Sequence, residues 1–363
     1  MRPTSCEIDL GAIAHNVQTL TSMVDPTPLC AVVKADGYGH GAVPVARAAL
    51  EAGAQWLAVA LVEEGIELRN AGIQAPVLVL SEPPPAAMAL VVEHGLVPSC
   101  YTSAGIDAMA TAARGRGPVG VQLVVDTGMR RVGVEPGALA GLVAQIVGAS
   151  DLVLDGVWTH CPVADEPDNP FTEAQLSRFD DLVAGLDAGL PSHVGNSAVA
   201  ITRAARTAAM VRCGISVYGI DPDLPLAGLA DLRPALKLTS AVSFIKPIAA
   251  GDGVGYGLRW TASADTTIAT VPIGYADGVR RDLGLRGGTV LIGGAHHPIV
   301  GVVTMDQLMV DVGGSGVAVG DEVVLIGAQG EASISAADVA ATLETIPYEV
   351  VCSISQRVPR TYV

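Results

Sequence analysis

Positive charge is scarce in this 363-residue sequence: 21 Lys and Arg stand against 37 Asp and Glu, for a net charge of −16. A groove that tracks a phosphate backbone needs clustered cations, so nucleic acid is not an expected partner. Charge of either sign is thin, at 16% of residues, while half the residues are hydrophobic; disorder is excluded and a large buried core is available. There is no C-x-x-C pair among the six cysteines (Cys6, Cys30, Cys100, Cys161, Cys213, Cys352). Their scatter argues against a disulfide framework and against a structural zinc site, and predicts buried free thiols in a reducing compartment. No apolar stretch is long enough to span a bilayer. The opening, Met1 to Leu10, lacks the apolar core of a signal peptide. The expectation is a cytoplasmic protein with no membrane partner and no metal.

What is present is a rhythm. Short β-branched or Leu-rich runs alternate with alanine-rich helical stretches. The strand candidates are 29–33, 57–60, 76–80, 96–99, 119–125, 152–159, 192–194 and 209–217. Helical patterns lie between them, at 62–71, 86–94, 103–113, 137–147 and 172–188, after an amphipathic helix at 10–23 capped by Asp9. Eight strands, each followed by a helix, predict a parallel (β/α)8 TIM barrel over residues 1–231. From residue 232 the alanine patterns mostly stop, and strand-like runs separated by glycine turns predict a mostly antiparallel β domain over 232–363. One helix is expected at 335–343 and a last strand near 348–355.

The chemistry concentrates at strand ends. The apolar run 29–33 stops on Lys34, and Asp36-Gly37-Tyr38-Gly39-His40-Gly41 follows. An ammonium at the end of a buried strand costs free energy unless it is used, and partial desolvation turns it into a nucleophile or base. Asp126-Thr127-Gly128-Met129-Arg130-Arg131 closes the fifth strand, Thr159-His160 the sixth, Asn196-Ser197 follows the seventh, and Arg212-Cys213-Gly214-Ile215 lies at the last. Taken singly, each has an ordinary reading: a turn, a core histidine, a helix cap, a snorkelling lysine. Gly37-x-Gly39-x-x-Ala42 matches a dinucleotide fingerprint but lacks the acidic residue at the end of a second strand. Jointly, at successive carboxyl ends of a barrel, the residues describe one site. Its last turns suit a phosphate, with Ser197, Gly214 and Ile215 placed for it. A phosphate-bearing cofactor beside a strand-end lysine suggests pyridoxal 5′-phosphate.

With those residues in place, the chain resembles the alanine racemases, fold-type III pyridoxal phosphate enzymes, from Ile8 to Arg360. The resemblance rests on the Lys34 segment, on Asp126 to Met129 with Arg131-Val132-Gly133, on Asn196-Ser197 and on Val211 to Gly219. It continues through Val254-Gly255-Tyr256-Gly257, Pro272 to Gly278, Met305-Asp306-Gln307 and Arg357-Val358-Pro359-Arg360. It implies interconversion of L- and D-alanine by two bases. Lys34 would hold the cofactor and act on one face of Cα, and a tyrosine matching Tyr256 would act on the other. In the family that tyrosine and the residue matching Met305 come from the partner subunit, so a homodimer is implied. Arg212 matches the arginine facing the pyridine nitrogen. Tyr38, Ser197, Gly214 and Ile215 match phosphate contacts, with Asn196 beside them. Arg131 matches an arginine that contacts the substrate carboxylate, Tyr275 lines the entrance and Asp306 lies next to Met305. His160 matches a histidine between the tyrosine and the arginine. Lysine and tyrosine both titrate near pH 10, so each must be lowered to act near neutrality.

The sequence departs from the family at a few positions. Val124 stands where a lysine, often carbamylated, usually holds the arginine matching Arg131. Arg130 replaces a residue that is often small, Gln356 stands at an aromatic phosphate contact, and Thr304 and Cys213 replace a cysteine and a proline. A racemase of the same type acting on serine or another small amino acid, a decarboxylase of the same fold class, and a non-catalytic pyridoxal phosphate-binding protein remain as alternatives.

Overall fold

The computed structural model describes residues 2–186, 189–203 and 209–363, in two compact units. Residues 187 and 188, at the end of the last helical pattern of the barrel, lie outside the described residues. Strand β1 (Ser5–Ile8) opens the chain and belongs to the second unit. The first unit, residues 11–37 and 42–233, is a parallel sheet of eight short strands. These are β2 (Leu29–Val32), β3 (Trp56–Val59), β4 (Val77–Val79), β5 (Val97–Cys100), β6 (Val119–Val124), β7 (Leu152–Trp158), β8 (Ser192–His193) and β9 (Val211–Cys213). They pair in the order β8-β7-β6-β5-β4-β3-β2-β9. An isolated parallel bridge between Gly195 and Val211 brings the two ends of this path together. The expected barrel is therefore present. β2 is buried throughout, as parallel strands covered on both faces require.

Helix Ser103–Ala113 occupies the expected residues, and Thr102 caps it by accepting the Gly105 N–H. The expected strand over 209–217 is only three residues long, because a 3₁₀ turn, Ile215–Tyr218, takes over after Gly214.

The second unit comprises residues 1–10, 38–41 and 234–363. Its ten-stranded sheet is antiparallel apart from the pairing of β1 with β20 (Arg360–Tyr362). Between those strands the chain forms β10 (Leu236–Ala241), β11 (Phe244–Ile248), β12 (Gly253–Val254), β13 (Trp260–Thr261), β14 (Thr266–Val271), β15 (Thr289–Ile292), β16 (Ala295–Val300), β17 (Leu308–Asp311), β18 (Glu322–Gln329) and β19 (Ala332–Ile334). β12 and β13 stand apart as a two-stranded hairpin. The strand expected near 348–355 is instead a helix, Pro347–Cys352. Proline at the first helical position supplies the right φ and lacks only an N–H that would have no helical partner. Val350 and Val351 give that helix its buried side.

Candidate active site

The site in the barrel unit starts at Lys34, directly after β2. The turn that follows it is left-handed: Ala35, Asp36, Gly37 and Tyr38 have φ of 53°, 51°, 59° and 52°. Each non-glycine residue held there costs about 1–2 kcal/mol. The turn persists because its polar groups are pinned. Gly37 N–H donates to the Val33 carbonyl (2.9 Å), Ala42 N–H to Asp36 Oδ1 (2.9 Å) and Ala35 N–H to Glu64 Oε1 (2.7 Å). Lys34 is thereby fixed at the strand end, at the start of a turn that takes the chain away sharply.

On the neighbouring strand β9, where residue 212 pairs with Cys30 of β2, Arg212 is buried with its guanidinium 4.6 Å over the Trp158 ring. Its Nη2 donates to the Thr159 carbonyl (2.8 Å) and its Nη1 donates to His193 Nδ1. Because an arginine only donates, His193 Nδ1 must accept, and the ring proton sits on Nε2, which donates to Gln122 Oε1 (2.9 Å). Gln122, His193 and Arg212 thus form one directed chain through the barrel interior. Burial lowers the Arg212 guanidinium to about 10, and every hydrogen-bond partner named here is neutral. None of these bonds uses Nε–H, which is left for a further acceptor. Burial, and then the charge of Arg212, also hold His193 well below its usual range.

His160, just past β7, is lowered to about 3, by burial first and then by the charges of Arg212, Arg131 and Lys34. The charges of Arg212, Arg131 and Lys34 all act on this imidazole, and a positive potential there favours an anionic ligand. Arg131 itself is exposed. It emerges from a tight loop in which Asp126 Oδ1 accepts the N–H groups of Gly128 (2.9 Å) and Arg130 (3.1 Å). Val124, where the family's lysine would be, is buried. Asn196 caps helix Ser197–Thr202 through the Val199 N–H (3.0 Å), and Ser197 Oγ accepts the Gly214 N–H (2.9 Å). The Ser197 hydroxyl therefore keeps its own proton to donate. A buried guanidinium with a spare donor, a hydroxyl donor beside Gly214 and a positive potential at one end of the barrel fit the pyridine nitrogen and phosphate of pyridoxal phosphate.

Both histidines are held neutral in the fold but take up a proton near pH 6.5 when unfolded. The folded state then binds fewer protons, so stability falls as pH drops below about 6.5, by up to about 1.4 kcal/mol per pH unit for each histidine. Denaturant midpoints of the cofactor-free protein between pH 8 and 5 should show this slope, and His160→Asn should reduce it by about one proton.

The remaining expected residues lie in the second unit. Tyr38 is buried 6.2 Å from the Tyr348 ring, and burial raises its hydroxyl above the usual range. Tyr256 sits at the tip of the β12–β13 hairpin between Gly255 and Gly257, whose φ of 72° and 73° only glycine adopts without strain. It is 72% exposed. Tyr275 and Met305 belong to two loops locked backbone to backbone: Tyr275 N–H donates to the Thr304 carbonyl (2.9 Å) and Ala276 N–H to the Met305 carbonyl (3.1 Å). Both side chains are exposed, as is Gln356. Asp306 accepts from Arg357 (2.7 Å), which also lies 3.5 Å from buried Asp277. The residues that the sequence reading missed are Glu64, Gln122 and His193, which hold Lys34's turn and Arg212 rather than face a ligand. Their only signal was a polar residue inside or just after an apolar run.

Comparison with known proteins gives a consistent result. Residues 8–222 match the model of the alanine racemase N-terminal domain, and residues 235–362 match that of the C-terminal domain. An alanine racemase of Symbiobacterium thermophilum is 45% identical over all of this chain and 97% of its own length. The crystal structure of alanine racemase from E. faecalis superposes with a TM-score of 0.95 at 41% identity, covering 100% of this chain and 98% of that one. A histidine racemase of Leuconostoc mesenteroides superposes with a TM-score of 0.91 at 30% identity, covering 100% and 98%.

Proposed function

We propose, from the premise that this chain belongs to the alanine racemase family, that it interconverts L- and D-alanine with pyridoxal 5′-phosphate at the carboxyl end of its barrel. The observation that carries this reading is the buried Arg212, held by His193 and Thr159 with its Nε–H unused, on the strand next to the one that ends at Lys34. When bound, the cofactor supplies an electron sink that makes the Cα–H acidic. Lys34 holds it and moves the Cα proton on one face. Arg212, buried and with its Nε–H unused, would face the pyridine nitrogen with a guanidinium that keeps its proton, so the cofactor held there would be a weaker electron sink. Weak withdrawal limits side reactions. Asn196, Ser197, Gly214 and Ile215 would hold the phosphate end, and Arg131 would orient the substrate carboxylate.

The proton on the opposite face belongs to Tyr256 of the partner subunit. In one chain Tyr256 is largely in water, and a base that acts on Cα needs a site closed from it. A homodimer in which each hairpin tip enters the other chain's barrel mouth gives it that environment, close to neutral His160, and sets the partner's Met305, Tyr275 and Asp306 around the entrance. Among the described residues no helix is long and apolar enough to cross a membrane, and six cysteines with no disulfide among them fit the cytoplasm. A second reading, a racemase of the same kind for another amino acid, is favoured by Val124 alone: the group that usually orients the arginine is replaced by a buried hydrocarbon.

A chiral assay decides. Protein reconstituted with pyridoxal phosphate is expected to racemise L- and D-alanine and to lose this in Lys34→Ala. Turnover of serine with none of alanine would establish the second reading, and cofactor binding with no turnover of any amino acid would sink both.

A further inference from the structure

Glu64 is the third residue of helix Val62–Asn70, and its Oε2 accepts the N–H groups of Ala60 (2.7 Å) and Leu61 (3.1 Å), an ordinary cap for that helix. Its other oxygen does something the helix does not need: Oε1 accepts the N–H of Ala35 at 2.7 Å, 29 residues earlier, in the left-handed turn directly after Lys34. The cap alone can be made by a shorter side chain. At the same helical position elsewhere in this chain, Asp338 reaches the Ser335 N–H (2.7 Å) and Asp277 reaches the Gly274 N–H (3.0 Å). The extra methylene of Glu64 is what spans from cap to turn.

We infer that Glu64 is a positioning residue for Lys34: its carboxylate holds Ala35 in the left-handed conformation and so fixes where the lysine amine stands. The inference rests on the reading of Lys34 as the cofactor-bearing residue. Without the charge-assisted bond, Ala35 relaxes toward its ordinary φ and the lysine shifts, although no group that touches the cofactor has been removed. The strain is local, so a glycine at position 35, which adopts φ near +53° freely, substitutes for the clamp.

Glu64→Asp separates the two jobs, since it keeps the cap and gives up the reach to Ala35. Titrating the cofactor-free protein with pyridoxal phosphate and following the visible absorbance, we expect Glu64→Asp to weaken apparent affinity about tenfold. kcat for alanine should fall by a similar factor, with the thermal midpoint of the cofactor-free protein nearly unchanged. Adding Ala35→Gly to Glu64→Asp should recover at least half of the lost affinity on a logarithmic scale. Glu64→Asp with wild-type affinity and kcat would overturn the inference. So would a loss that tracks the thermal midpoint and that Ala35→Gly does not repair. Failure of the Lys34 reading looks different: the wild-type protein would then develop no cofactor absorbance that Lys34→Ala abolishes.

Discussion

Lys34→Ala is expected to reduce alanine racemisation by roughly 10⁴-fold, the upper end of what a positioned proton-transfer group contributes, with both directions affected alike. On the proposed mechanism the lysine does two things at one atom: its amine would hold the cofactor and, once released, would move the Cα proton. Removing it therefore deletes attachment and base together. Lys34→Arg should fare no better. It keeps the positive charge that adds, after burial, Arg212 and Arg131, to what holds His160 neutral, but a guanidinium stays protonated at any working pH and serves neither as nucleophile nor as base. Equal loss in the two variants assigns the effect to proton transfer and attachment; substantial activity in Lys34→Arg would mean that only the charge matters. The fold should survive both changes. Val33 N–H to Ala58 and Gly37 N–H to Val33 are backbone bonds that do not involve the side chain. Adding a small primary amine such as methylamine to Lys34→Ala should return part of the activity, since the vacated position then admits a replacement base.

The barrel was legible because its strands are buried on both faces and so read as short apolar runs ending on polar residues; β2 and Lys34 show the pattern plainly. Parts of the fold resisted for reasons of distance. β1 pairs with β10, Ser5 with Thr239 and Ile8 with Leu236, and nothing local in four residues announces a partner so far along the chain. The helix Pro347–Cys352 was read as a strand because a short apolar run does not by itself distinguish the two. The left-handed turn after Lys34 was visible only as a glycine-rich stretch. Three of its four residues are not glycine, and their conformation is imposed by Asp36, by Glu64 and by the return of the chain at Ala42. Gln122 and His193 were hidden in a different way. They sit within strand runs, where a polar residue looks like noise, and their purpose appears only when the barrel sets them beside Arg212.

Tyr256→Phe is expected to slow racemisation by about 10²–10⁴-fold in both directions, because each direction needs one base to take the proton and the other to return it. The two half-reactions part company in an exchange experiment. In deuterated water one enantiomer of alanine should still exchange its Cα–H in Tyr256→Phe, through Lys34, while the other does not. Retention of full racemisation would remove Tyr256 from the mechanism. The same pair of variants tests the shared site. Tyr256 stands on the tip of a hairpin in the second unit, exposed in a single chain, so deleting its hydroxyl should cost little stability. Chains carrying Lys34→Ala and chains carrying Tyr256→Phe are each nearly inactive alone. Dissociated, mixed in equal amounts and reassociated, they form mixed dimers in roughly half of the assemblies if pairing is random. In a mixed dimer of the proposed kind one barrel would have Lys34 and face the partner's Tyr256, while the other site would have neither. One site in two is restored in half of the dimers, so the mixture should recover about one quarter of wild-type activity. If both bases came from the same chain, mixing would restore nothing, since no chain in the mixture carries both.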